Sequence, residues 1–120
     1  MKKIIFAFLL VTFNSVIAQD TKPEIGSIEF ISNELNGIIK KDAKVEIIAD
    51  GFGFTEGPLW IEKEKMLLVS DLPANTIYKW TEAKGKEEYL KPAGYTDSET
   101  RGGFMGPNGL ILSNEGKLWL

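Results

Sequence analysis

The sequence predicts an all-β fold, a β-propeller, on two observations. Between residues 58 and 90, short apolar or β-branched runs alternate with turn residues, which is typical of consecutive antiparallel strands. The motif Glu56-Gly57 then returns 52 positions later as Asn108-Gly109. A β-rich repeat of roughly 40–50 residues is typical of propeller blades. The 120 residues are therefore expected to hold about one and a half blades: one complete blade and the start of a second.

The first 18 residues have the pattern of a secretory signal peptide. Two lysines, Lys2 and Lys3, precede an apolar run over residues 4–13, and the small residue Ala18 offers a cleavage point. A run of this length is too short to span a bilayer, which needs roughly 20 apolar residues. We therefore expect cleavage after Ala18 and export to the periplasm or the extracellular space, rather than a membrane anchor.

Residues 19–44 are expected to form an N-terminal extension, and residues 45–120 are expected to be the first, incomplete part of the propeller. The extension starts with a polar segment and then suggests a short strand at 27–31 and one or two helical turns within 33–41. A further strand is predicted at 45–49, at the beginning of the propeller part.

Four strands of one blade follow from the pattern of apolar runs and turns. They are predicted at 58–61, 66–69, 76–80 and 87–90. The second run is continuously apolar, as in a buried strand, whereas the fourth is polar, as in the outermost, solvated strand of a blade. Residues 91–105 form a long loop, and the second blade is predicted to start at 106–109. The tryptophans are predicted to lie in the core between blades, and they are Trp60, Trp80 and Trp119.

The internal repeat covers little more than a dozen positions. At the offset of 52, the matched positions are Glu56-Gly57 with Asn108-Gly109, Trp60 with Leu112, Lys65 with Lys117, and 66–68 with 118–120. Because one blade cannot bury both of its faces, neighbouring blades have to pack against each other.

Composition restricts the possible functions. The chain has no Cys and no His, which excludes disulfides, thiolate or imidazole metal sites and a His-based triad within these residues. Removal of residues 1–18 takes away two lysines and no acidic residue, so the net charge changes from −3 to −5. An acidic protein without a basic amphipathic helix is not expected to bind nucleic acid or, after cleavage, a membrane surface.

Glu56 and Asn108 are the candidate metal ligands. Equivalent positions on the innermost strands of successive blades point toward the same central channel, so the two side chains are expected to converge there. A carboxylate and an amide oxygen suit a hard cation such as Ca²⁺ or Mg²⁺, which points to metal-assisted hydrolysis. Two alternatives stay open: Glu56 as a solvated turn carboxylate, and Asn108-Gly109 as a simple hairpin turn.

Two further polar residues, Asp71 and Arg101, are weaker candidates for the functional site. Asp71 follows an apolar strand, and a structural role as a cap of Asn75 or Thr76 is favoured over a ligand role. Arg101 and Gly102-Gly103 are interpreted either as a mobile flap over the channel or as a plain flexible loop, with Arg101 a weak candidate for contact with substrate.

Three stretches resemble the gluconolactonase, regucalcin and luciferin-regenerating enzyme family, in particular its secreted bacterial gluconolactonase branch. They are Gly51–Pro58, Leu67–Pro73 and Arg101–Leu110. The resemblance implies a six-bladed β-propeller with one divalent metal ion in its channel, Ca²⁺ first, with Mg²⁺, Mn²⁺ or Zn²⁺ as alternatives. It implies hydrolysis of sugar lactones or related esters.

By the same resemblance, Glu56 matches the first metal-binding carboxylate of the family, and Asn108 matches an asparagine beside the metal and the substrate. The remaining ligands and the aspartate proposed as general base are expected beyond residue 120. The chain is thus expected to be the N-terminal part of a longer protein and inactive alone. The animal members carry an arginine where this chain has Gly106. The alternative function is a non-catalytic propeller that binds a sugar or a protein partner.

Overall fold

The computed structural model describes residues 22–99 and 102–120. The predicted signal peptide and Arg101 lie outside the described residues. Within these ranges, no helix is long and apolar enough to cross a membrane. The described residues fold as an all-β structure with one short 3₁₀ helix, Glu34–Gly37, in the N-terminal extension.

The main element is a four-stranded antiparallel sheet in which sequential strands are neighbours. Its strands are β1 (Thr55–Ile61), β2 (Met66–Asp71), β3 (Thr76–Thr81) and β4 (Gly85–Leu90), in the order β1-β2-β3-β4. This is the arrangement of a propeller blade. The four predicted strands are confirmed, and each is longer than predicted at one end. The first and the fourth strands begin earlier than predicted, and the second and the third end later.

The three hairpin turns of the sheet share one backbone feature, a left-handed residue at regular spacing. Lys65, Asn75 and Gly85 have φ values of 49°, 52° and 67°, and each lies where a turn leads into the next strand. A left-handed residue of this kind lets a tight connection match the twist of the flanking strands. Because these left-handed residues are ten positions apart, the strands between the turns have nearly equal lengths.

A second, two-stranded sheet follows the long loop. It pairs β5 (Ile111–Leu112) with β6 (Leu118–Trp119), so a second pair of strands is present and begins later than the predicted start at 106–109. Its register differs from a strict repeat. Leu112 lies opposite Leu118, whereas the pairing of Trp60 with Leu67 in the first sheet would place Leu112 opposite Trp119. The two hairpins are similar in kind and differ by one residue in pairing.

The core lies on the face of the first sheet that meets the second sheet. Ile61, Leu68, Ile77 and Ala93 are buried together. Partly buried side chains pack against them from both sheets, and these are Leu59, Met66, Leu110 and Leu118. Contact between the two sheets thus supplies the burial that a single sheet cannot.

The tryptophans do not lie in the core that the two described sheets form, and their predicted place in a core between blades stays a prediction. Trp60 and Trp119 are 47% and 63% exposed, and Trp80 is half-buried. The strand register explains why Trp60 and Trp80 lie outside the core of the first sheet. Leu67 pairs with both tryptophans, and directly paired residues share a face of the sheet. That face is opposite to the one bearing Leu68, since successive residues of a strand alternate.

The strands predicted at 27–31 and 45–49 do not form. The extension contributes one isolated antiparallel bridge, between Glu24 and Glu46. Ile31 is 95% exposed, and Val45, Ile47 and Ile48 are exposed as well, whereas Ile28 and Phe30 are half-buried. Strand propensity reflects packing on a half-buried surface, and most of the large apolar side chains of these segments have no such surface to pack on. The short helical turn predicted within 33–41 is confirmed.

Candidate functional site

Glu56 lies in β1, opposite Ser70 of β2, and its side chain is exposed. The pairing of β1 with β2 is irregular between Glu56 and Leu59, as in a β-bulge. Gly57 lies inside this irregularity with a φ of 56°, which a side chain would strain. Bulges of this kind are frequent beside active sites because they redirect a side chain.

The first strand of one sheet lies beside the start of the next. The rings of Phe54 and Phe104 contact each other with their centroids 5.1 Å apart. A Cβ atom on Gly57 would overlap the carbonyl oxygen of Asn108 and lie 3.0 Å from the backbone nitrogen of Leu110. Two contacts therefore join residues 54–57 to residues 104–108, in the same order along both segments.

The backbones around Glu56 and Asn108 consequently lie in one region, and the convergence of the two side chains stays a prediction. Glu56 precedes the glycine that abuts Asn108, and both side chains are exposed. Within the part of the chain that the structure describes, neither takes part in a side-chain hydrogen bond or an ion pair. Their oxygen atoms are thus available to a ligand, and their roles as metal ligands remain predictions.

Asp71 holds the segment that leads into β1. Asp71 is 3% exposed. Its carboxylate accepts hydrogen bonds from the backbone amides of Gly53 (3.0 Å) and Phe54 (3.2 Å). The predicted cap of Asn75 or Thr76 is therefore wrong. Thr76 instead donates its hydroxyl to the carbonyl of Ala74. The carboxylate at the end of β2 therefore binds the segment that precedes β1, and it does not cap the turn that follows β2.

Leu72, the next residue, joins the two sides of the candidate site through its backbone. Its amide donates to the carbonyl of Phe54 (3.0 Å), and its carbonyl accepts from the amides of Met105 (3.0 Å) and Gly106 (2.9 Å). Gly106 allows this approach without crowding, because a Cβ there would lie 3.0 Å from the Cα of Leu72. The positions of residues 54 and 105–106 are thereby fixed relative to each other.

Asn75 is a residue of the site region that sequence reasoning missed in this role. Its side chain accepts from the amide of Gly94 (2.8 Å) and donates to the carbonyl of Tyr95 (2.6 Å). The amide of Tyr95 in turn donates to the carbonyl of Met105 (2.9 Å). These bonds close the neck of the long loop. The sequence offered one signal for a structural role of Asn75. It ends a tight turn, and Asn tolerates the left-handed conformation that such a position needs.

The loop between residues 95 and 105 is described in part. Gly102 and Gly103 have φ values of 72° and 73°, so their left-handed backbone suits glycine. The proposed contact of Arg101 with substrate falls outside the described residues and stays a prediction. The loop is anchored at Tyr95 and Met105 beside Leu72.

The donor set fits part of a site for a hard cation. Carboxylate and amide oxygens, as in Glu56 and Asn108, are the ligands that Ca²⁺ and Mg²⁺ prefer. Among residues 22–99 and 102–120, no group of three or more acidic or other strong ligands is placed to hold a metal ion. The described residues therefore offer two donors, and a complete coordination shell needs further ones.

Comparison with known proteins gives one informative result. The chain is 37% identical, over 98 residues, to a curated protein named gluconolactonase from Zymomonas mobilis subsp. mobilis. The match covers 80% of this chain and 28% of that relative, so the chain spans less than a third of the relative's length. No family model matches the chain. No solved structure matches it either.

Proposed function

We propose that this chain, whose sequence similarity supports a gluconolactonase-like family, is the N-terminal part of an enzyme that hydrolyses sugar lactones. The whole enzyme would be a six-bladed β-propeller, of which the four-stranded sheet and the following hairpin are the first blade and the beginning of the second. The relative's name supports a lactone substrate. The single structural observation that supports the proposal is the close approach of Gly57, the residue after Glu56, to the backbone of Asn108.

In this proposal Glu56 donates a carboxylate oxygen to a divalent cation, and Asn108 donates its amide oxygen to the cation or orients the lactone. We place Ca²⁺ first, with Mg²⁺, Mn²⁺ or Zn²⁺ as alternatives. A bound cation of this kind polarises an ester carbonyl and lowers the pKa of a nearby water. The general base is expected to be an Asp beyond residue 120, which takes a proton from the attacking water.

The test uses the full-length protein and gluconolactone, with ring opening followed by acid release. We expect hydrolysis that chelation abolishes and that the cation restores. Glu56→Gln keeps the size of the side chain but removes its charge, so it should weaken both cation binding, measured by calorimetric titration, and hydrolysis. Glu88→Gln is the matched control, because Glu88 is exposed on the outer strand β4.

Two results would contradict the proposal. Full activity after chelation would remove the cation from the mechanism. Binding of a sugar or a protein without opening of any lactone would support instead the non-catalytic propeller.

We also propose that the protein is exported after removal of residues 1–18. The support is the sequence pattern of charged, apolar and small residues at the N-terminus. Mass spectrometry of the protein recovered from the periplasm or the medium should show a mature N-terminus at Gln19. An intact N-terminus on a cytoplasmic protein would contradict this.

A further inference from the structure

Ser70 carries a buried hydroxyl group that has no partner. The residue lies in β2, and none of its surface is exposed. Within the part of the chain that the structure describes, its Oγ atom forms no hydrogen bond. Buried polar side chains nearly always have such a partner, because a hydroxyl removed from water without one costs stability. The unpaired hydroxyl therefore indicates that another group binds it in the working protein.

Two other buried polar groups of the same sheet show how such groups are usually satisfied. Thr76, which is as buried as Ser70, donates its hydroxyl to the carbonyl of Ala74 at 2.8 Å. The buried Oε2 atom of Glu87 forms no hydrogen bond but lies 3.3 Å from the charged Nζ of Lys79. Ser70 has neither kind of partner, so its hydroxyl is the group of this sheet that needs an explanation.

The strand register places Glu56 directly opposite Ser70. Directly paired residues share a face of the sheet, and their Cβ atoms are about 4.5–5.5 Å apart. A serine hydroxyl and a glutamate carboxylate can span this distance with one hydrogen bond. Ile77 pairs with Ser70 from the other side and belongs to the core, so Glu56 and Ser70 lie on the face that also bears the core.

The irregularity in β1 is the reason that Glu56 lies opposite Ser70. Leu59 pairs with Leu68. Continued without interruption, that ladder would pair Gly57 with Ser70 and would leave Glu56 on the opposite face of the sheet. The shift by one residue pairs Glu56 with Ser70 instead. The bulge therefore redirects the one carboxylate of this strand toward the face that holds the unpaired hydroxyl.

Asp71, the residue after Ser70, fixes the chain just before Glu56. Its carboxylate accepts from the amides of residues 53 and 54, and Asp71 itself pairs with Thr55. The backbone of Glu56 is thereby held in register with Ser70. Rotation of the exposed Glu56 side chain, without movement of the backbone, can bring its carboxylate to the hydroxyl.

We propose that Ser70 is a positioning residue for Glu56 in the cation-loaded site. The inference rests on the proposed function, in which Glu56 binds the cation. The Ser70 hydroxyl donates a hydrogen bond to one carboxylate oxygen of Glu56, and the other oxygen binds the cation. A hydrogen bond of this kind fixes the orientation of a metal ligand, and its loss typically lowers metal affinity by roughly 10–100-fold.

The test measures cation binding to the full-length protein by calorimetric titration after chelation. Ca²⁺, Mg²⁺, Mn²⁺ and Zn²⁺ are titrated singly, and the ion that binds most tightly is used for the variants. Ser70→Ala should weaken its binding on the order of tenfold or more. The same variant should not lower the thermal stability of the cation-free protein, because it removes an unpaired buried hydroxyl. Ser70→Cys keeps a weaker donor and should give an intermediate affinity.

Thr76→Val is the matched control, because Thr76 has an equally buried hydroxyl in the same sheet and its partner is a backbone carbonyl. It should lose thermal stability and keep its cation affinity. Saturating cation should restore most of the hydrolysis of gluconolactone by Ser70→Ala, since the hydroxyl orients a ligand and does not contact substrate. Unchanged cation affinity in Ser70→Ala, or an equal loss of affinity in Thr76→Val, would overturn the positioning role. Binding of none of the four cations would overturn it as well.

Hydrolysis of gluconolactone distinguishes this inference from the proposed function. If cation affinity depends on both Glu56 and Ser70 but gluconolactone is not opened, the lactonase proposal fails and the positioning role stands. If gluconolactone is opened and cation affinity depends on Glu56 but not on Ser70, the positioning role fails and the lactonase proposal stands.

Discussion

The carboxylate of Asp71 and the backbone amide of Phe54 are joined by a hydrogen bond of 3.2 Å that links the end of β2 to the entry of β1. Gly53 donates to the second oxygen of the same carboxylate at 3.0 Å. A side chain at residue 53 would be crowded, because a Cβ would lie 3.2 Å from Asp71 Oδ1 and 3.1 Å from Pro73. A buried acidic side chain thus fixes the segment from which both Phe54 and Glu56 project.

We predict that Asp71→Ala destabilises the full-length protein by at least about 2 kcal/mol, since hydrogen bonds to a charged group contribute roughly 1.5–3 kcal/mol each. Asp71→Asn keeps one acceptor oxygen and should cost less. Urea unfolding measures both values. Asp97→Asn is the control, because exposed Asp97 also accepts from a backbone amide, that of Ser98. Equal, small effects at both positions would contradict a special role for Asp71.

We predict that Gly57→Ala separates the two halves of the candidate site. The added methyl group would overlap the Asn108 carbonyl oxygen, in addition to the strain of a left-handed alanine. Gly85→Ala isolates the strain, because Gly85 has a similar φ of 67° and a Cβ there meets nothing within 4 Å. The Gly57 variant should lose much more stability and cation affinity than the Gly85 variant.

Cation titration and thermal unfolding of both glycine variants measure this difference. Similar losses for Gly57→Ala and Gly85→Ala would show that backbone strain explains the whole effect. In that case the contact between Gly57 and Asn108 would have no part in assembling the site.

Glu62 supplies a prediction on pH. A hydrogen bond from the Lys65 side chain, and a second from the Trp60 indole (2.6 Å), hold the pKa of Glu62 below its usual value. A lowered pKa in the folded state stabilises the fold above the unfolded pKa of the carboxyl, and this is lost as the pH falls through the folded value. Lys65→Met should therefore raise the Glu62 pKa in an NMR titration, whereas Lys65→Arg should keep it low. A pKa unchanged by Lys65→Met would assign the shift to Trp60.

The strands of the first sheet could be predicted because local signals agreed. Apolar runs, turn residues and a tolerant left-handed position recur together, most clearly around 66–69 and Asn75. The repeat also predicted that the segments around residues 57 and 108 lie side by side, and the approach of Gly57 to the backbone of Asn108 agrees with this. Those predictions needed only the periodicity of the chain.

The partners of individual side chains could not be predicted in the same way. Asp71 bonds to residues 17 and 18 positions earlier, and Asn75 to residues 19 and 20 positions later. Sequence reasoning assigned Asp71 to its own turn because local caps are the common case. The face on which Trp60 and Trp80 lie depends on strand register, and a shift of one residue would move both to the other face.

The loop neck at Asn75 gives the last prediction. Asn75→Gly keeps the left-handed backbone and removes both side-chain hydrogen bonds, to the amide of Gly94 and the carbonyl of Tyr95. We expect faster hydrogen exchange at the Gly94 amide and faster proteolysis within the loop, whereas the Phe54 amide, held by Asp71, should exchange as before. Asn75→Asp keeps the acceptor and should protect Gly94. Equal protection of Gly94 in all three proteins would mean that the backbone bonds between Ala93 and Asn75 and between Tyr95 and Met105 close the neck without the side chain.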